Sequence, residues 1–228
     1  MVGPSHRSEG KPNEDSWLGT SGAFGTLIVV SDGLGSRSEA GKGAQMACRA
    51  VLDAVRAWHK AGNGAVADLL QRIEPLWLER IAPSIARDCA ATCLFALAHS
   101  RGHVHVAAIG DGMALVRTRD GRLEWVVGPR ASGFSNETDA LGRASSWTHR
   151  SFPRAVGEVV VLASDGVSDD LLPDRIGDFV VWLIDEFSTL PTQRSCRALR
   201  RELTEWPTPR HNDDKTLAVL AQREAVAS

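Results

Sequence analysis

Continuous apolar runs alternate with stretches of helical period along this chain. FGTLIVV, residues 24–30, reads as a buried strand. Beyond a Gly-rich loop, Ala47, Ala50, Val51, Ala54, Val55 and Trp58 recur at helical spacing and predict a long amphipathic helix, ended by AGNG at 61–64. Val66, Leu69, Leu70, Ile73, Leu76 and Trp77 predict a second helix, interrupted by Pro75. Strands follow: ATCLFALA from 91, HVHVAAIG from 103, and MALVRTRDGRLEWVV from 113. The last is expected to be a hairpin turning on the two residues Asp120-Gly121. His103 and His105 alternate along their strand and are expected on its solvent face. The polar, Gly/Ser-rich segment 128–152 has no period and predicts a surface flap. EVVVLAS from 158 is another buried strand, helical patterns cover 174–187 and 192–204, and TLAVLA from 216 is the last strand.

This order places several strands next to one another in sequence, which favours antiparallel pairing over a doubly wound parallel sheet. No linker divides the 228 residues, so one domain over 1–228 is expected, long enough for a sizeable core.

A net charge of −2 gives no electrostatic case for nucleic acid or anionic lipid. No stretch approaches the roughly 18 uninterrupted apolar residues of a membrane span, and MVGPSHRSEGKPNEDSW has no apolar signal segment, so a cytoplasmic protein is expected; a monomer is also expected. Cys48, Cys89, Cys93 and Cys196 form no Cys-x-x-Cys pair. The positions six beyond them hold Ala54, Phe95, His99 and Glu202, so a cysteine phosphatase, which needs Arg there, is not indicated.

Three apolar runs end alike, at Asp32-Gly33, Asp111-Gly112 and Asp165-Gly166. Asp-Gly is common turn chemistry, and Asp120-Gly121 fits that role. The other three instead carry a carboxylate from a buried strand into a loop. A carboxylate there is costly unless it meets a cation or donors, and several together repel. A hard divalent cation with oxygen ligands resolves the repulsion. Glycine lets the backbone approach and offer its own carbonyl. Asn13-Glu14-Asp15 and His211-Asn212-Asp213-Asp214 add two acidic sites, each just before a strand.

The ordered set NEDSW (13–17), VVSDGLG (29–35), AAIGDG (107–112), LASDGVSD (162–169) and DDKT (213–216) resembles the type 2C metal-dependent serine/threonine protein phosphatases, in a compact bacterial form. The resemblance covers essentially the whole chain. It implies an α+β fold, a four-layer α-β-β-α sandwich of two antiparallel sheets flanked by helices. It also implies two Mn²⁺ or Mg²⁺ ions and a third, weaker position. By motif, Asp32 bridges the two ions and Gly33 offers its carbonyl. Asp165 and Asp213 complete one ion, and Glu14 faces the other. Asp213 is chosen over Asp214 for its three-residue spacing to Thr216. Asp111 and Asp169 match the third position, and Asp15 orients water. Asp32, Asp165 and Asp15 are thus the implied catalytic residues. The implied reaction is hydrolysis of phosphoserine or phosphothreonine by metal-activated water, with no covalent phosphoenzyme. The implied substrate is a phosphoprotein, either a target of a bacterial Ser/Thr kinase or the kinase itself. The alternative is a pseudophosphatase that uses the fold as a metal-binding interaction module.

Three positions depart from the family pattern. Leu34 stands where eukaryotic members carry a histidine. Gly10 stands where larger members have a phosphate-binding arginine, leaving His6, Arg7 and Lys11 as candidates for that role. GDG at 110–112 replaces GDSR. The polar segment 130–147 is the candidate for substrate selection.

Overall fold

The computed structural model describes residues 1–128, 139–143, 146–155, 157–206 and 212–222. Helix α1 (Pro4–Glu9) precedes a hairpin of β1 (Asp15–Gly22) and β2 (Gly25–Asp32). The helices α2 (Ala40–Lys60) and α3 (Val66–Ile81) follow. Then come β3 (Cys93–His99), β4 (His103–Ile109), β5 (Met113–Arg117), β6 (Leu123–Val127), β7 (Thr148–Pro153) and β8 (Val159–Ala163). A single turn α4 (Asp165–Ser168), helices α5 (Ile176–Phe187) and α6 (Thr192–Glu205), and β9 (Leu217–Ala221) complete the order. One sheet runs β1-β2-β3-β4-β7 and the other β6-β5-β8-β9, with every pairing antiparallel. The fold is the expected α+β sandwich with helices packed against both sheets.

Burial explains the apolar runs. In β2, Leu27 and Val29 pack with the α2–α3 pair, while Ile28 and Val30 pack between the sheets. A strand covered on both faces loses polar alternation. The small residues Ala47, Ala50 and Ala54 let α2 lie close to this sheet, and Trp77 of α3 is fully buried beside them. Its indole Nε1 donates to the Gly43 carbonyl at 3.0 Å, so the one polar atom of that ring is satisfied. On the far side, Phe179, Val180 and Leu183 of α5 and Leu203 of α6 cover Leu115 and Val161 of the second sheet. Among the described residues no helix is long and apolar enough to cross a membrane.

Several local expectations are corrected. Strand β1 was not foreseen, because it is an edge strand whose residues alternate Asp, Trp, Gly and Ser outside any apolar run; Trp17 is 62% exposed. Helix α1 is too short to show a period. Pro75 does not interrupt α3, because Leu69, Ile73, Trp77 and Ile81 anchor the helix on both sides of it. The β5–β6 loop is closed by Thr118 and Arg122, so three residues turn rather than two. Strand β7 lies inside the expected flap; its polar outer face hid it, with only Phe152 buried. Residues 129–138 and 144–145, which hold most of the proposed specificity segment, lie outside the described residues. His105 is buried rather than on a solvent face, because the end of α2 and strand β7 cover it: Trp58 lies 6.1 Å away, centroid to centroid, and Ser151 Oγ is 2.8 Å from Nδ1.

Candidate metal centre

The antiparallel pairings carry the acidic motifs to one end of the sandwich. Asp15 opens β1 and pairs with Asp32, the last residue of β2. In the second sheet β8 ends at Ala163, opposite Leu217 of β9, so Asp165 emerges beside the loop that carries Asp213. The Ser164 amide donates to the Thr216 carbonyl at 3.0 Å, tying the two loops. Gly166 is required here, because a Cβ would lie 2.0 Å from the Asp214 carbonyl oxygen.

Asp15 is buried. Its Oδ2 accepts from Ser164 Oγ at 2.8 Å, and that hydroxyl accepts from the Thr216 amide at 2.9 Å. One serine thereby links β1 to β8 and β9. The Asp32 amide donates to Thr92 Oγ1 at 2.9 Å, which fixes the end of β2 against β3. Asp15 Oδ1 and Glu14 Oε2 are both shielded from solvent and have no hydrogen-bond partner.

Electrostatics mark the same group. Burial, then the Asp15 and Asp165 carboxylates, hold the Asp32 carboxyl well above the ordinary range, and Asp213 adds to this. Burial also raises Asp15, against the opposing hydrogen bonds from Asp32, Thr216 and Ser164. Glu14 is raised by burial, with His6 acting against the rise. Buried, mutually repelling carboxylates with orphaned oxygens form a donor set suited to a hard divalent cation. The residues present fit such an ion. The ligand atoms of His6, Asp213 and Asp214 also lie within 4.8 Å of one another.

The other motif residues sit further out in the same loops. Asp111 is in the β4–β5 turn, and Asp169 ends α4, where it accepts from Ser168 Oγ at 3.3 Å. Gly33 follows Asp32, and its amide donates to the Glu14 carbonyl at 3.3 Å. The three proposed phosphate cations divide. Arg7 is exposed and donates to the Val2 carbonyl at 3.1 Å; Lys11 is exposed and pairs with Glu9 at 2.8 Å. His6 is buried, 2.9 Å from Asp214 and 3.8 Å from Glu14. A cleft of about 460 Å³ opens beside Glu14, between Asn13–Ser16 on one wall and Ser38–Lys42 on the other.

Residues 2–206 match the family model of protein phosphatase 2C. This chain belongs to the protein phosphatase 2C family. The 2C fold recurs in the S. agalactiae serine/threonine phosphatase, 13% identical, with a TM-score of 0.65 over 97% of this chain and 96% of that one. It recurs in the Mycobacterium tuberculosis serine/threonine phosphatase PstP/Ppp, 20% identical, with a TM-score of 0.62 over 94% and 93% of the two chains. The catalytic domain of PstP, solved with two manganese ions, is 20% identical, with a TM-score of 0.59 over 91% and 90%. No curated protein is similar enough in sequence to count as a match.

Three residues of this site were given no role of their own in the sequence reading. Asp214, 1% exposed, accepts from the Gly3 amide at 2.7 Å and the Glu14 amide at 2.6 Å, besides contacting His6. It holds the α1 segment against the centre. Ser164 orients Asp15, as above. Lys215, also buried, donates to the Gly166 carbonyl at 2.6 Å and pairs with Asp170 at 3.2 Å, which steadies the Asp165 loop. The available signal was a lysine between two residues of a strand-initiating motif, where a solvated side chain is the usual expectation.

Proposed function

We propose that this 2C-family chain is a metal-dependent protein phosphatase that hydrolyses phosphoserine and phosphothreonine in substrates of bacterial kinase signalling. The observation that carries this reading is the convergence of Asp15, Asp32, Asp165 and Asp213 at one end of the sandwich, where burial and the neighbouring carboxylates hold the Asp32 carboxyl well above its ordinary range and Asp15 Oδ1 is shielded with no hydrogen-bond partner. In this reading Asp32, the Gly33 carbonyl, Asp165, Asp213 and Glu14 hold two Mn²⁺ or Mg²⁺ ions, and Asp111 and Asp169 a third. Such ions, when bound, supply a water of lowered pKa and neutralise phosphate charge. Asp15, held by Ser164, would orient such a water and could accept its proton. The cleft between Asn13–Ser16 and Ser38–Lys42 admits the substrate chain. Leu34 offers no proton, so the leaving hydroxyl is protonated from solvent.

The test is phosphate release from a phosphothreonine peptide and from p-nitrophenyl phosphate, with Mn²⁺ and with EDTA. Turnover is expected with Mn²⁺ alone, and Asp32→Ala and Asp165→Ala are each expected to lower it by about 100-fold or more. A folded, Mn²⁺-binding wild type that turns over neither substrate would favour the pseudophosphatase reading, to which the departures at Gly10 and Leu34 lend weight.

A further inference from the structure

The carboxylates are not the only side chains aimed at the Glu14 end of the centre. His6 reaches it from α1 and is 8% exposed. Its position is fixed from both sides: the Ser5 amide donates to the Asn212 carbonyl at 3.0 Å, and the Gly3 amide to Asp214 Oδ1 at 2.7 Å. His6 Nδ1 lies 2.9 Å from Asp214 Oδ2. That carboxylate already accepts two backbone amides, so it acts as an acceptor and Nδ1 carries the hydrogen. The other nitrogen, Nε2, then presents its lone pair. It stands 3.8 Å from Glu14 Oε2, a buried oxygen with no hydrogen-bond partner.

Two features of this arrangement are those of a metal ligand. Imidazoles that bind metals typically donate their second N–H to a carboxylate or carbonyl, which fixes tautomer and ring orientation. Ligand atoms about 2.0–2.2 Å from a shared first-row ion stand roughly 3–4 Å apart, which suits the His6–Glu14 spacing.

We propose that His6 Nε2 is a ligand of the ion on the Glu14 side, that Asp214 holds its ring, and that this nitrogen makes the centre select Mn²⁺ over Mg²⁺. The proposal rests on reading the acidic group as a metal centre. Mg²⁺ takes oxygen ligands and keeps its waters, whereas imidazole suits first-row transition ions. His6 therefore serves the ion rather than the substrate phosphate.

Electron spin-echo envelope modulation of the Mn²⁺-loaded protein tests the bond itself. Wild type is expected to show ¹⁴N modulation from a directly bound imidazole, and His6→Gln to lose it. By calorimetry, His6→Gln is expected to weaken Mn²⁺ binding by about tenfold or more, with Mg²⁺ binding changed by less than about twofold. Asp214→Asn, which leaves His6 in place, is expected to weaken Mn²⁺ by about tenfold. Absence of ¹⁴N modulation in Mn²⁺-bound wild type overturns the proposal while leaving the metal centre standing. So does an unchanged Mn²⁺/Mg²⁺ ratio in a folded His6→Gln protein. Failure of wild type to bind either ion overturns the metal-centre reading and this proposal together. The wild-type spectrum decides the bond even if His6→Gln does not fold.

Discussion

Asp213 and Asp214 are adjacent and chemically identical, yet they do opposite work. Asp213 adds its charge to the group around Asp32, whereas Asp214 turns to the Gly3 and Glu14 amides and to His6. Without metal, Asp214→Ala is expected to destabilise the fold by several kcal/mol, since each buried donor left unsatisfied costs about 1–3 kcal/mol. Asp32→Asn should do the reverse and raise metal-free stability, because it removes one of the mutually repelling charges. Urea denaturation in EDTA checks both, and a stability loss in Asp32→Asn would count against the repulsion. At this scale the sequence displayed the carboxylates, because Asp32, Asp111 and Asp165 end apolar runs and the Glu14–Asp15 and Asp213–Asp214 pairs stand just before strands. It did not display the partners. Ser164 meets Asp15 across 149 residues and His6 meets Asp214 across 208, and no local pattern encodes bonds of that span.

Elements buried on both faces were legible, and so were the apolar edge strands β6 and β9, but the polar edge strands β1 and β7 were not. The apolar runs of β2, β3 and β8 announce themselves, while β1 and β7 have one wet face and few apolar residues. The same rule hid the histidines at the end of the first sheet remote from Asp32. Burial, then His149, His99 and His103, lower the His105 pKa to about 4; burial also lowers His99 and His149. A folded-state pKa below the unfolded value near 6.5 means the unfolded chain binds more protons between the two. This contribution is thus complete above about pH 6.5 and is lost as pH falls toward 4. The raised carboxyls of the metal centre act in the opposite sense, so the variant is the control: His105→Gln should lose less stability than wild type between pH 7 and pH 5, measured by urea midpoint. Helix α2 offers a second check. A Cβ on Gly43 would lie 1.8 Å from the Cys89 carbonyl oxygen, so Gly43→Ala is expected to cost roughly 1–3 kcal/mol or more in the same assay.

Across the whole molecule, the acidic group draws its carboxylates from both sheets. Asp15 and Asp32 come from the five-stranded sheet, while Asp165 and Asp213 flank strands of the four-stranded one. An apolar cluster lies between the sheets, from Ile28 and Val30 to Val160 and Leu162. The site therefore sits where the core ends and the strand ends of both sheets open toward solvent. Ions bound there would cross-link the layers and stabilise the fold by mass action, about 2.7 kcal/mol at a hundredfold excess over Kd. Added Mn²⁺ should raise Tm and EDTA should reverse the rise. The central claim is hydrolysis by water at this end of the sandwich. Single-turnover cleavage of a phosphothreonine peptide in H₂¹⁸O with Mn²⁺ tests it most directly. The account predicts one ¹⁸O in each phosphate released and none in the peptide; label in the threonine hydroxyl, or no phosphate released at all, would contradict it.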